Sequence, residues 1–215
     1  MNSPESRNPI PFSNSGEIML NHGTLDTSLQ YAAYRLDDIV NLLGFTQGAG
    51  NGTWKLVNGL TVLDLGCGSI SSPDRSSFDS PFTVLNMSYK PYLCRLLGQN
   101  GAKAYGIDLG EGDKEDEATY THIQTNIVDQ VLTNGLAQIP QLRDIQFDII
   151  HSYCFLGGSP SPVLENCLSV RRLEGSDFNM LLINQATPML KNKGLLLLDN
   201  NYYRKEESRL VKLFE

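Results

Sequence analysis

Positive charge is in short supply in this 215-residue chain: 17 lysines and arginines stand against 24 aspartates and glutamates, for a net charge of -7. No basic stripe with interleaved aromatics runs along it, so a nucleic-acid partner held through its phosphates is disfavoured. Long apolar runs are missing as well. None approaches the roughly eighteen residues a membrane helix needs, so no membrane partner is expected. The polar stretch Met1 to Ser15 lacks the charged-then-apolar order of a secretory signal, and the expected location is cytoplasmic. Cysteine is scarce too. Cys67, Cys94, Cys154 and Cys167 stand far apart without a Cys-x-x-Cys pair, so no metal site and no redox dithiol is expected, and the thiols are read as reduced and buried.

What is present suits one well-filled core: 40% of the residues are hydrophobic and 19% charged. Residues 1–15 read as a disordered arm, and 16–215 as a single domain with an N-terminal helical cap at about 25–44. In that cap Leu29, Ala32, Ala33, Leu36, Ile39, Val40, Leu42 and Leu43 recur at helical spacing. After a glycine-rich connection, Leu60 to Leu65 is a short apolar run with the character of a buried strand. Ala104 to Asp108, His122 to Ile127, Phe147 to Cys154 and Gly194 to Asn200 repeat that theme. Helical patterns lie between them at Tyr92 to Leu97, Gln130 to Ile139 and Phe178 to Leu190. This alternation predicts an α/β fold: a doubly wound, mostly parallel sheet with helices on both faces.

In such a sheet ligands sit outside the carboxyl ends of the strands. The first strand ends in Asp64-Leu65-Gly66-Cys67-Gly68, where two glycines allow a turn free of side chains whose backbone N–H groups can come close to a ligand. Asp64 is placed to accept from a cationic amino group. The second strand ends at Asp108, with Leu109 beside it, and a carboxylate there can accept from both hydroxyls of a ribose. The third ends at Asn126 and Ile127, an amide for an adenine edge and an apolar side chain for the ring face. His151 and Ser152 end the fourth, and His151 is the candidate catalytic base near neutral pH.

These residues resemble the class I S-adenosylmethionine-dependent methyltransferases. The likeness spans about Thr61 to Asn200. It rests on Val62-Leu63-Asp64-Leu65-Gly66-Cys67-Gly68, on Asp108, on Phe147-Asp148-Ile149-Ile150-His151-Ser152, and on Met189-Leu190-Lys191-Asn192-Lys193-Gly194-Leu195-Leu196-Leu197-Leu198-Asp199. The resemblance implies a Rossmann-like methyltransferase fold, S-adenosylmethionine as cofactor, and methyl transfer to a small-molecule acceptor. The implied cofactor ligands are Asp64, Gly66, Cys67, Gly68, Asp108, Leu109, Asn126, Ile127, His151 and Ser152. Two features depart from the family pattern. The Ser69 to Met87 loop stretches the distance from Asp64 to Asp108. The tail after Asn201 is expected to be too short for the antiparallel strand pair that completes the family's sheet, leaving an edge for a homodimer to cover. A non-catalytic S-adenosylmethionine-binding protein or partner subunit is the alternative reading. A nicotinamide-dependent oxidoreductase ranks third, because Gly66-Cys67-Gly68-Ser69-Ile70-Ser71 lacks the last glycine of the dinucleotide fingerprint.

Overall fold

One seven-stranded sheet organises the chain. Its strands are β1 (Thr61–Leu65), β2 (Lys103–Asp108), β3 (Thr121–Gln124), β4 (Phe147–Ser152), β5 (Leu190–Leu198), β6 (Asn201–Glu206) and β7 (Arg209–Lys212), in the order β3-β2-β1-β4-β5-β6-β7. The structure is a computed structural model and describes residues 27–47, 53–68, 90–112, 117–152, 168–169 and 171–214. The expected arm at 1–15, the Ser69 to Met87 loop, Cys154 and Cys167 lie outside the described residues.

The first five strands are parallel. Among the described residues the α-helices that flank them are α1 (Thr27–Gln47), α2 (Tyr92–Gln99), α3 (Ile127–Thr133) and α4 (Gly175–Met189). Because side chains alternate along a strand, each buried strand feeds two cores. Val62, Ala104, Ile149 and Leu195 pack with α1 and α2 on one face. Leu63, Tyr105, Ile150 and Leu196 pack with α3 and α4 on the other. The doubly wound, mostly parallel plan is therefore present. Along α1 the apolar series from Leu29 to Leu43 is buried in the first of these cores.

Element boundaries differ from the sequence expectation where a local hydrogen bond overrides the apolar pattern. Strand β3 stops at Gln124 because Asn126 caps α3, its Oδ1 accepting from the N–H groups of Val128 at 3.0 Å and Asp129 at 3.3 Å. Ile127 is thus the first residue of a helix. That helix ends before Ile139, since Gly135 takes φ 86° and its N–H donates to Gln130 O at 2.7 Å, closing the last turn. Strand β5 starts at Leu190, four residues before Gly194, with a register shift against β4 between Phe147 and Ile149. At Gly194 a Cβ would lie 2.9 Å from Lys191 O and 3.1 Å from Phe147 O, so only glycine fits.

The tail requires a correction. It was expected to be too short for an antiparallel pair, yet β6 runs antiparallel to β5 and β7 antiparallel to β6. Two-residue connections make this possible, with Asp199 at φ 52° and Glu207 at φ 56° supplying the left-handed conformation that tight hairpins need. The missing pair, on which the homodimer expectation rested, is present.

Candidate functional site

Parallel register places residues from separate strands in one row, and partners across a row share a face of the sheet. Asp64 of β1 pairs with Gly106 of β2 and His151 of β4. Gly106 pairs with His122 of β3, and His151 with Leu197 of β5. The row His122, Gly106, Asp64, His151 therefore crosses the face that carries α1 and α2, one residue short of the carboxyl ends of β1 and β4 and two short of that of β2. Asp108, two residues beyond Gly106, stands one pleat nearer the edge.

The centre of the row is a buried pair. Asp64 and His151 are each 4% exposed, and His151 Nδ1 lies 2.7 Å from Asp64 Oδ1. A carboxylate only accepts, so Nδ1–H is the donor and a neutral His151 carries its lone pair on Nε2. The second carboxylate oxygen, Oδ2, accepts a weak hydrogen bond from the Cys94 thiol of α2 at 3.8 Å.

Gly106 makes room for the sulfur atoms above it. A Cβ at this position would meet Cys67 Sγ at 2.6 Å and Cys94 Sγ at 2.9 Å, so the two thiols occupy the space a side chain would claim. Both cysteines are free thiols and buried. Burial pushes the Cys67 thiol well above its ordinary range, helped by Cys94 and by the carboxylates of Asp64 and Asp108. It is a neutral S–H donating to Gly68 O at 3.2 Å.

The glycine turn has the left-handed backbone anticipated for it, with φ 75° at Gly66 and 93° at Gly68. Its N–H groups point elsewhere than expected. Those of Gly66 and Cys67 donate to Ile107 O at 2.9 and 3.0 Å, and that of Gly68 donates to Asp108 Oδ2 at 3.0 Å. The turn is therefore sewn to the end of β2, with these three donors spent inside the protein, Cys67 and Gly68 buried and Gly66 half-buried. Asp108 also accepts from the N–H of Gly110 through Oδ1 at 3.0 Å, so one carboxylate ties both loops together. Each oxygen keeps acceptor capacity beyond that one bond. Leu109 is half-buried beside it.

His122 fastens the loop after β2. Gly110 O can only accept, so His122 Nε2–H donates to it at 2.9 Å, and Nδ1 accepts from the Tyr120 hydroxyl at 3.0 Å. No signal in the sequence marked His122 or Gly106 for these roles. Only the register that aligns them with Asp64 reveals them.

The remaining candidates have other surroundings. Asn126 spends its side-chain oxygen on capping α3, and Ile127 is buried in the core of the opposite face. Ser152 is fully buried, and among the described residues its Oγ has no hydrogen-bond partner. An open cleft of about 490 Å³ is lined by Gln124, Thr125, Gln130, Asn134 and Gln138, and by none of the expected site residues. Among the described residues no group of three or more His, Cys, Asp or Glu side chains could hold a metal, and no helix is long and apolar enough to cross a membrane.

No protein-family model and no curated protein matches the sequence. Solved structures with a similar backbone include a magnesium protoporphyrin IX methyltransferase from Synechocystis PCC 6803 with bound SAH, at 17% identity and a TM-score of 0.40, covering 82% of this chain and 61% of that one. A T. thermophilus 16S rRNA N2 G1207 methyltransferase in complex with AdoMet and guanosine matches at 18% identity and 0.40, covering 83% and 36%. The MycE methyltransferase of mycinamycin biosynthesis, with Mg and SAH, matches at 13% and 0.42, covering 82% and 37%. This chain thus spans less than two thirds of each of these three. Similarity this distant carries no argument about activity, and the Rossmann-like fold of this chain stands on its own strand order.

Proposed function

We propose that this chain is an S-adenosylmethionine-dependent methyltransferase acting on a small molecule. The observation that carries the reading is the placement of Asp108. Its carboxylate ends β2 directly beside the turn Gly66-Cys67-Gly68 that follows β1, whose two glycines carry no side chain, at the edge where open α/β sheets bind nucleotides. The donor and acceptor chemistry fits. Asp108 retains lone pairs for the two hydroxyls of a ribose, and the absent side chains at Gly66 and Gly68 let a ligand approach the backbone closely.

Bound there, S-adenosylmethionine supplies an electrophilic methyl group on a sulfonium. The chain's own share is to hold two reactants in line and to exclude water, which can supply much of the acceleration. His151, one strand away in β4, is the proposed base. Its Nε2 would take the proton that the acceptor loses on methylation.

The 4% exposure of His151 favours a second reading, a binding protein or partner subunit that keeps the cofactor pocket without turnover. Mass spectrometry of the purified protein after denaturation tests the first claim. Retained S-adenosylmethionine or its demethylated product is expected, and a nicotinamide nucleotide in its place overturns the proposal. Methyl transfer to any member of a small-molecule panel then separates the enzyme from the non-catalytic reading.

A further inference from the structure

We infer that Asp64, one residue short of the end of the first strand and just ahead of the glycine turn, is a positioning residue for His151 and not a ligand of the cofactor. The inference rests on the proposed role of His151 as base, and it reverses the expectation that Asp64 receives a cationic amino group.

Three observations carry it. Asp64 and His151 are register partners on adjacent parallel strands, so the backbone itself brings their side chains together on one face. Their contact of 2.7 Å is short for a nitrogen–oxygen hydrogen bond, as expected for a charge-assisted one, and both partners are almost fully removed from water. Finally, both oxygens of Asp64 face protein donors, Oδ1 the imidazole and Oδ2 the Cys94 thiol. An ammonium group would have to compete with His151 for a buried carboxylate. Asp108, one pleat nearer the edge, is only partly buried, and its oxygens accept from the backbone N–H groups of Gly68 and Gly110, with lone pairs to spare and no imidazole against them.

The consequence is chemical. With Nδ1–H committed to Asp64, a neutral His151 can present only the Nε2 lone pair, which is the form a base requires. When Nε2 takes a proton from the acceptor, the imidazolium forms against a carboxylate already in contact, so its charge is offset without any rearrangement. An amide in place of the carboxylate can accept or donate and no longer dictates the tautomer, the failure seen when the acid of a hydrolase triad is replaced by its amide.

The test combines nitrogen NMR of labelled histidine with calorimetric titration of S-adenosylmethionine. The protein has three histidines, and His151→Gln assigns the relevant signal. The wild type is expected to show His151 protonated on Nδ1 with a bare Nε2, and Asp64→Asn is expected to give a mixed or Nε2-protonated ring. Affinity for S-adenosylmethionine should stay within about twofold in Asp64→Asn. A loss of more than about tenfold with an unchanged His151 tautomer assigns Asp64 to the cofactor and overturns the inference. If Asp64→Asn does not fold, the wild-type spectrum decides, since a neutral His151 protonated on Nε2 contradicts the pairing. A wild type that binds no S-adenosylmethionine sinks the proposed function, while the NMR comparison still decides the Asp64–His151 assignment.

Discussion

Asp108 accepts the backbone N–H of Gly68 through Oδ2 and that of Gly110 through Oδ1, each at 3.0 Å, so a single carboxylate closes the turn after β1 and the loop after β2. Hydrogen bonds to a charged group are worth about 1.5 to 3 kcal/mol each when fully counted, and less where solvent reaches them. Asp108→Ala should therefore lower unfolding stability by about 1 to 3 kcal/mol without any ligand present, whereas Asp108→Asn, which keeps one oxygen acceptor, should lose less. Urea unfolding of the two variants measures this. Equal losses would mean that the carboxylate does not tie the loops.

Gly106 is predicted to reject even a methyl group. A Cβ there would overlap Cys67 Sγ at 2.6 Å and Cys94 Sγ at 2.9 Å, both in a packed interior. Gly106→Ala should cost about 1 to 3 kcal/mol, the usual range for overpacking. Adding Cys67→Ala removes the nearer sulfur, so the double variant should recover part of that loss, a non-additivity that a double-mutant cycle detects. Simple additivity would show that the thiols do not fill the glycine's space.

The Cys67 thiol is raised above its ordinary value of 9.0, first by burial and then by Cys94, Asp64 and Asp108. The unfolded chain therefore releases this proton at lower pH than the folded one. The stabilisation is present in full below pH 9.0 and is lost as pH rises from there through the folded value. Thermal unfolding followed from pH 7 to pH 10 should show a decline at the alkaline end that Cys67→Ala reduces. Alkylation by iodoacetamide at pH 8 should be slow at Cys67 until the protein unfolds, and fast labelling of the folded protein would contradict its burial.

Asn126 separates a structural role from a binding one. As the cap of α3 it should cost about 0.5 to 2 kcal/mol when replaced by alanine and little when replaced by aspartate, which caps equally well. If Asn126→Asp leaves stability intact but abolishes nucleotide binding, the amide faces the ligand as well.

Much of this fold was legible because the parallel strands are buried on both faces and read as apolar runs: Leu60 to Leu65 matches β1 closely, and Phe147 to Cys154 takes in β4. Strands β6 and β7 were not legible. Asn201-Tyr202-Tyr203-Arg204-Lys205-Glu206 is only partly buried at the sheet margin, so it carries no apolar run. Its turns use Asp199 and Glu207 at positive φ, where glycine would have been the signal. The site was half legible for a related reason. Asp64, Asp108 and His151 mark themselves by lying at or next to the ends of strands, but whether they meet depends on register between segments far apart in sequence. Packing sets that register, which is why the Asp64–His151 contact and the His122 latch on Gly110 emerge only in three dimensions.

Isothermal titration of S-adenosylmethionine into the wild type and Asp108→Ala tests the nucleotide pocket most directly. The wild type should bind, and the variant should bind more weakly by about 1.5 to 3 kcal/mol for each hydrogen bond to the ribose that is lost. No heat of binding with the wild type, or equal affinity in the two proteins, would contradict the account.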